Sequence, residues 1–216
     1  MRYATFLHLA REGWFLLVPL GLAGLGLALL LDSNWPWMLA LALAGLLALS
    51  LRDRDRKVPP QPLGLVAPAD GRIVHRRECH DPYLDRAAIR LSLRLDRRGV
   101  YYLRAPTEGT LMEIKTGRGQ GRHPQSSWLR TDEGDDIVLV VSEGSLLGQR
   151  PCNAGFGQRL GQGRRCGMRR LARQIDLFIP ATCRVDVALG EHVRAGSDVL
   201  ATMVHNVPMA AAKEAV

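Results

Sequence analysis

The first fifty residues consist mainly of two long apolar segments joined by a short polar turn. Residues 14–31 and 35–51 contain no charged side chain, and their lengths of 18 and 17 residues approach the ~20 that span the hydrocarbon core of a membrane. Asp32, Ser33 and Asn34 lie between them and have the composition of a turn. Neither segment carries the polar stripe of a helix that packs on a soluble core. The pattern predicts a transmembrane or re-entrant helical hairpin, with a hairpin buried inside a soluble protein as the alternative.

Basic residues on both sides of this hairpin predict its orientation. Arg2 and Arg11 precede it, and an arginine- and lysine-rich run at residues 52–57 follows it. Segments rich in Arg and Lys stay on the cytoplasmic side of a membrane. We therefore expect the hairpin in the inner membrane and both ends of the chain in the cytoplasm.

After the hairpin, short runs of β-forming residues alternate with glycine, proline and aspartate. In residues 89–95 apolar side chains alternate strictly with Arg and Ser, which is the pattern of a half-buried strand. Residues 187–201 place glycine at regular intervals between Val, Leu and Ala, as in barrel-sandwich domains with short strands and tight turns. These patterns predict a mainly β fold, with a membrane anchor at residues 1–57 and a barrel-sandwich-like soluble domain at residues 58–216.

The chain carries a formal net charge of +8, and most of its cations are arginines. No recognition helix, zinc-ligand spacing or aromatic and basic platform accompanies this charge, so we expect no nucleic-acid partner. Arginines next to a lipid anchor instead favour contact with anionic headgroups. We expect membrane phospholipid to contact Trp14, Trp35, Trp37, Arg164 and Arg165, because Trp and Arg suit the membrane–water interface.

The four cysteines and six histidines show no metal-ligand or redox spacing. Cys79, Cys152, Cys166 and Cys183 form no C-x-x-C motif, so in a cytoplasmic domain we expect reduced, structural cysteines. The histidines are scattered along the chain. The sequence therefore predicts no metal site.

Two well-separated segments carry the strongest functional signal. Residues 66–73 read Val-Ala-Pro-Ala-Asp-Gly-Arg-Ile, and residues 167–180 read Gly-Met-Arg-Arg-Leu-Ala-Arg-Gln-Ile-Asp-Leu-Phe-Ile-Pro. In order and spacing they resemble the two signature regions of the phosphatidylserine decarboxylases, which are membrane-bound, self-processing pyruvoyl enzymes. The resemblance runs nearly end to end and is strongest to the short bacterial and archaeal-type members.

Members of that family make their cofactor from a Gly-Ser pair in the second region. Their serine hydroxyl attacks the preceding carbonyl, and elimination and hydrolysis then leave a pyruvoyl group that forms a Schiff base with the lipid amine. The aligned pair here is Ala172-Arg173. Arginine has neither a hydroxyl or thiol nucleophile nor a β leaving group. The resemblance therefore implies a family member that lacks the pyruvoyl-forming serine.

Residues that would assist self-processing are also replaced in part. Where members have the histidine and the asparagine of D-V-H-V-N-R-A-P, this chain has Tyr101 and Leu103. A tyrosine, whose pKa is ordinarily about 10, is a poor proton shuttle at neutral pH. Asp70, which would orient or activate the serine, is retained. Its Pro-Ala-Asp-Gly sequence is also a good turn, so Asp70 has a structural reason to persist without catalysis.

Three functions are compatible with these features. The first is a membrane-anchored, catalytically inactive homologue that binds lipid or regulates phospholipid metabolism. It needs no cofactor, and its partners would be membrane phospholipid, a second copy of the chain or other proteins of phospholipid synthesis. The second is an active decarboxylase that makes phosphatidylethanolamine from phosphatidylserine, or acts on a related serine lipid, and forms its pyruvoyl group at a non-standard site. The third is a membrane-surface module without lipid specificity.

Overall fold

The computed structural model describes residues 13–50, 56–97, 99–114, 126–144, 151–169 and 171–204. Several residues behind the predictions lie outside the described part of the chain: Arg2, Arg11, Arg52, Arg54 and the side chain of Trp14. The predicted orientation of the hairpin and the interfacial position of Trp14 therefore stay predictions.

Two helices form the N-terminal hairpin. Helix α1 spans Gly13–Leu30, helix α2 spans Trp35–Ser50, and Asp32 in the turn between them has a φ of 45°. The helices pack closely, because a Cβ added to Gly24 would lie 2.4 Å from the Cβ of Ala40. Many large apolar side chains on both helices are nevertheless exposed, among them Leu22, Leu30, Met38 and Leu46. No helix in the described ranges is both long enough and apolar enough to cross a membrane, so the transmembrane form of the hairpin is not supported.

Strands are the main regular element of the remaining described chain, which confirms the mainly β fold. Their bounds are β1 Gly64–Val66, β2 Gly71–Asp81, β3 Arg86–Leu95, β4 Tyr102–Arg104, β5 Gly109–Met112, β6 Ser126–Arg130, β7 Asp136–Glu143, β8 Arg159–Leu160, β9 Arg165–Met168, β10 Gln174–Pro180, β11 Arg184–Val185, β12 His192–Val193 and β13 Val199–Thr202. The glycine-rich 187–201 region forms the last two strands, with Gly190 and Gly196 in turns at positive φ.

The described strands form three antiparallel sheets. The largest has the strand order β12-β2-β3-β10-β7-β6-β5-β8, the second has the order β1-β13-β11, and β4 pairs with β9 in the third. Strand β10 pairs with both β3 and β7. The second signature region therefore ends in the middle of the largest sheet.

The main hydrophobic core lies on one face of this sheet. In β3 the side chains of Leu91, Leu93 and Leu95 point into the core, as the alternation in residues 89–95 predicted. Residues of the opposite parity, such as Val138 on β7 and Phe178 on β10, form a smaller cluster on the other face. The sheet is therefore covered on both faces around β10.

The expectation that all the cysteines are reduced is wrong. Cys152 and Cys166 form a disulfide with their Cα atoms 4.5 Å apart, whereas Cys79 and Cys183 are free. The backbone N–H of Asn153 donates to the carbonyl oxygen of Cys166 at 2.7 Å, so the two chain segments are already paired there. Spacing in the sequence does not reveal such a bond, because a disulfide requires two Cβ atoms that the fold brings together.

Candidate active site

The candidate site is built around the buried carboxylate of Asp70, which is 7% exposed. The guanidinium of Arg56 donates to both carboxylate oxygens, with a distance of 2.9 Å to Oδ2. The backbone N–H of Val100 donates to Oδ2 at 3.0 Å, and that of Ala195 donates to Oδ1 at 2.8 Å. Each oxygen of Asp70 therefore accepts two hydrogen bonds from the protein.

These donors determine the ionisation of Asp70. Burial by itself would raise the pKa, because the charged form loses hydration. The hydrogen bonds from Arg56, Ala195 and Val100, together with the charge of Arg56, outweigh burial and hold the pKa of Asp70 below its ordinary value. Asp70 is therefore a carboxylate at neutral pH and a weak general base.

Two glycines permit close packing of the backbone around the turn that contains Asp70. Gly71 begins β2, and a Cβ at this position would lie 2.1 Å from the carbonyl oxygen of Arg94 on β3. A Cβ at Gly99 would lie 2.9 Å from the Cβ of Asp70. A side chain at Gly99 would push the β3–β4 turn away from Asp70 and remove the Val100 N–H from the carboxylate.

The segment that follows β9 lies beside the same turn. The backbone N–H of Arg169 donates to the carbonyl oxygen of Tyr101 at 2.8 Å. The Arg169 guanidinium donates to the carbonyl oxygens of Asp96 and Arg97, the latter at 2.8 Å. Burial lowers the pKa of Arg169, while the charges of Asp70 and Asp96 act in the opposite direction. The fold thus brings together Asp70, Tyr101 and the second signature region.

Arg173 is exposed and immediately precedes β10. Its backbone N–H donates to the carbonyl oxygen of Glu143, and its own carbonyl oxygen accepts from the N–H of Leu95, both at 2.8 Å. Gly144 lies against this backbone at a φ of 84°, and a Cβ there would be 2.3 Å from the carbonyl oxygen of Leu171. The backbone of residue 173 is therefore bound on both sides, while its side chain faces solvent.

Comparison with known proteins identifies the family that shares these signature regions. The family model for phosphatidylserine decarboxylase matches residues 43–201. A phosphatidylserine decarboxylase proenzyme of Nitrosomonas europaea is 33% identical over 207 residues, which cover 89% of this chain and 94% of the relative. The chain belongs to the phosphatidylserine decarboxylase family.

Further relatives agree with this assignment. The phosphatidylserine decarboxylase proenzyme of Nitrosomonas eutropha is 32% identical over 205 residues, covering 89% of this chain and 94% of the relative. That of Ralstonia nicotianae is 31% identical over 159 residues, covering 68% and 74%. Among solved structures, the glucose permease IIA from Mycoplasma capricolum covers 64% of this chain and 94% of its own at 18% identity, but its TM-score of 0.41 is too low to inform the fold.

Arg56 is a residue of this decarboxylase-family site that the sequence analysis missed. The sequence placed it in the basic flank of the hairpin, whereas its side chain is 17% exposed and bound to Asp70. The next residue, Lys57, accepts a hydrogen bond at its carbonyl oxygen from Ser197 Oγ at 3.3 Å. Val58 lies against Gly163, where an added Cβ would come within 2.4 Å. The sequence feature that could have pointed to Arg56 is Asp70, because a carboxylate that becomes buried needs a cationic partner from elsewhere in the chain.

The residues expected to face lipid lie on different elements of the decarboxylase-family fold. Trp35 and Trp37, at the start of α2, are 57% and 36% exposed. Arg164 and Arg165 are exposed at the start of β9, where the Arg165 guanidinium carbon lies 5.6 Å from the ring centre of Tyr102. All four side chains are accessible, and their contact with lipid is a proposal.

Proposed function

We propose that this chain is a phosphatidylserine decarboxylase homologue that neither processes itself nor decarboxylates, and that it binds phospholipid at the inner membrane. The observation that carries the proposal is Arg173 at the position where the family motif has its cofactor-forming serine. Pyruvoyl formation needs a hydroxyl or thiol there, first as the nucleophile and then as the leaving group. The guanidinium side chain provides neither.

The thiols nearest in sequence are poor substitutes for the serine. Cys166 is bonded to Cys152. Cys183 is buried, and burial together with the charge of Asp135 raises its pKa to about 11. A thiol with such a pKa is almost entirely protonated at neutral pH, and the thiolate is the reactive form. Between Leu146 and Gly196 the sequence contains no serine.

The contacts of Asp70 support the same proposal. In an active member this acid would have to present an oxygen to the serine hydroxyl. Here Arg56 and two backbone N–H groups occupy both oxygens. Asp70 therefore acts as a structural residue that fixes the turn before β2.

Intact mass of the purified chain tests the catalytic part of the proposal. We expect one uncleaved species of 23.8 kDa. Treatment with an aminooxy reagent separates self-processing from proteolysis, because only a pyruvoyl-blocked fragment gains the mass of the reagent. A C-terminal fragment that reacts in this way would contradict the proposal and establish the alternative, an active decarboxylase of phosphatidylserine or a related serine lipid.

The lipid-binding part of the proposal rests on the apolar hairpin. Exposed leucine side chains on α1 and α2 support a hairpin that enters the membrane in re-entrant form. Vesicle flotation with different headgroups, repeated at rising salt concentration, tests for specificity. We expect a headgroup preference that persists at high salt, because non-specific attraction between exposed charges is screened. If rising salt removes binding equally from vesicles of every headgroup, the chain is instead a membrane-surface module without lipid specificity.

We also propose that the β domain faces the cytoplasm, with a second copy of the chain or other proteins of phospholipid synthesis as protein partners. The basic residues at both ends of the hairpin support this orientation. A reporter fused after Val216 should be active only in the cytoplasm, and activity restricted to the opposite side of the inner membrane would contradict the proposal.

A further inference from the structure

Several exposed arginines on β2 and β3 have no acidic partner among the described residues. In β8, β11 and elsewhere, exposed arginines pair with carboxylates, namely Arg130, Arg159, Arg184 and Arg194. Within the described part of the chain, Arg76, Arg77 and Arg94 make no ion pair or hydrogen bond through the side chain, and Arg72 has only a long contact of 3.4 Å to the carbonyl oxygen of Gly190. These four cations are free to bind an anion.

The register of the sheet places two of these arginines directly opposite each other. Arg72 on β2 pairs with Arg94 on β3, and both side chains are exposed. Like charges at directly opposed positions destabilise a strand pair. The sheet therefore bears a repulsion between two cations on the face opposite to the core-facing leucines of β3.

An open groove adjoins this arginine-rich strand. It has a volume of about 470 Å³ and is lined by Arg76, Arg77, Glu78, Ile89 and Leu189. Leu189, in the turn before β12, is 63% exposed. Guanidinium groups beside an exposed apolar side chain match the two parts of a lipid surface, which are the charged headgroups and the acyl region below them.

The position of β2 at the sheet edge argues against a protein strand as the partner. Strand β12 pairs with β2 only at Gly71 and Arg72, so residues 74–81 have a neighbouring strand on one side only among the described residues. Charged side chains along such an edge prevent another strand from pairing with it. A partner without strands, such as a membrane surface, meets no such obstacle.

We propose that Arg76, Arg77 and Leu189, which line this groove, form a surface that binds anionic phospholipid headgroups, with Leu189 entering the membrane interface. This surface, here called the β2–β3 face, is separate from the site around Asp70 and from Arg164 and Arg165. The inference rests on the proposed lipid-binding function and adds the contact surface and the headgroup charge. Each arginine contacts phosphate or another lipid anion, while the hairpin supplies anchoring that does not depend on charge.

Fluorescence quenching in lipid nanodiscs tests this surface with the full-length chain. Leu189→Cys, in a Cys79→Ser background, carries a bimane label, and the discs contain brominated phosphatidylcholine either alone or mixed with phosphatidylglycerol. A matched label at Phe156→Cys reports on an exposed apolar residue close to β8, at the opposite end of the strand order. We expect quenching of the label at residue 189 in the anionic discs, and little at residue 156 or in the neutral discs.

Charge variants then identify the cause of the contact. Arg76→Gln with Arg77→Gln should remove most of the quenching at residue 189. Arg159→Gln with Arg184→Gln, which removes the same charge from arginines that have acidic partners, should leave it unchanged. Three outcomes would each overturn the proposal. In the first, the label at residue 189 is not quenched in anionic discs; in the second, it is quenched equally in neutral discs; in the third, the two double variants lose the same amount of quenching. Intact mass remains the separate test of the proposed function, so a failure of the β2–β3 face would not be mistaken for self-processing.

Discussion

At the scale of single residues, the ion pair between Asp70 and Arg56 is the most consequential contact. Both side chains are largely buried, with 9% and 17% of their surface exposed. Removing one partner of a buried pair leaves an uncompensated charge, which costs about 3–5 kcal/mol. We expect Asp70→Asn to lower the free energy of unfolding by about 3 kcal/mol. This value is the lower end of the range for buried pairs, because Arg56 keeps some solvent contact. Urea unfolding in detergent at pH 7 measures this change.

The control for this substitution is Asp132→Asn. Asp132 also pairs with an arginine, Arg159, but both side chains are more than half exposed. Exposed ion pairs contribute about 1 kcal/mol or less, so this variant should unfold almost like the parent protein. Equal losses for the two variants would show that the buried pair contributes no more than a surface pair.

The same carboxylate predicts how stability depends on pH. Because the pKa of Asp70 is lower in the folded protein, folding favours the ionised form. Its contribution to stability is complete above the unfolded pKa of about 3.9 and is lost as the pH falls through the folded value. The parent protein should therefore lose more stability between pH 5 and strongly acidic pH than Asp70→Asn does. The free energy of unfolding from urea titrations is compared across that pH range. If it falls equally with pH in the two proteins, the lowered pKa of Asp70 is contradicted.

Restoring the family motif should not by itself restore processing. Ala172→Gly with Arg173→Ser recreates the Gly-Ser pair, but the proton-transfer positions still hold Tyr101 and Leu103. General acid–base groups contribute about 10²–10⁴ in rate, so we expect negligible cleavage by intact mass. Adding Tyr101→His and Leu103→Asn should raise the cleaved fraction over time. If the Gly-Ser variant alone is cleaved efficiently, the rest of the site supports self-cleavage despite Tyr101 and Leu103.

At the scale of elements, strand β9 depends on close backbone packing at Gly167. A Cβ at this position would lie 1.6 Å from the carbonyl oxygen of Pro151, a distance that forces the backbone to move. Gly167→Ala should therefore destabilise the protein by several kcal/mol or prevent folding, as strained backbone substitutions do. Gly155→Ala is the matched control, because nothing lies within 4 Å of its added Cβ. Thermal unfolding that is unchanged in both variants would exclude this packing.

The bond between Cys152 and Cys166 gives a second prediction for the same strand. Without reductant, denatured protein should react with alkylating reagent at two thiols, Cys79 and Cys183, and after reduction at four. Closing a loop of this length stabilises a protein by about 3 kcal/mol, so reduction should also lower the midpoint of unfolding. Four reactive thiols before reduction would contradict the disulfide.

At the scale of the whole molecule, local sequence patterns predicted individual strands better than they predicted which strands or side chains pair with each other. Alternation in residues 89–95 identified β3, because its large apolar side chains face the main core and alternate with more polar ones. The apolar run of β10 is equally clear, but its place between β3 and β7 depends on contacts far apart in sequence. The same reason explains why Asp70 was recognised and its partner Arg56 was not. Such a pair becomes visible only when the chain has folded.

The contact between Arg56 and Asp70 also sets a limit on distance. Six peptide steps separate Ser50, the last residue of α2, from Arg56, and a fully extended chain spans at most about 3.6 Å per residue. The Cα of Arg56 therefore lies no more than about 22 Å from the end of the hairpin, however the two parts turn relative to each other. A hairpin in the membrane would thus keep the signature turn at Asp70 on a short tether, within reach of the headgroup layer. A truncated chain that begins at residue 58 loses both the tether and the only side-chain cation bound to Asp70 among the described residues.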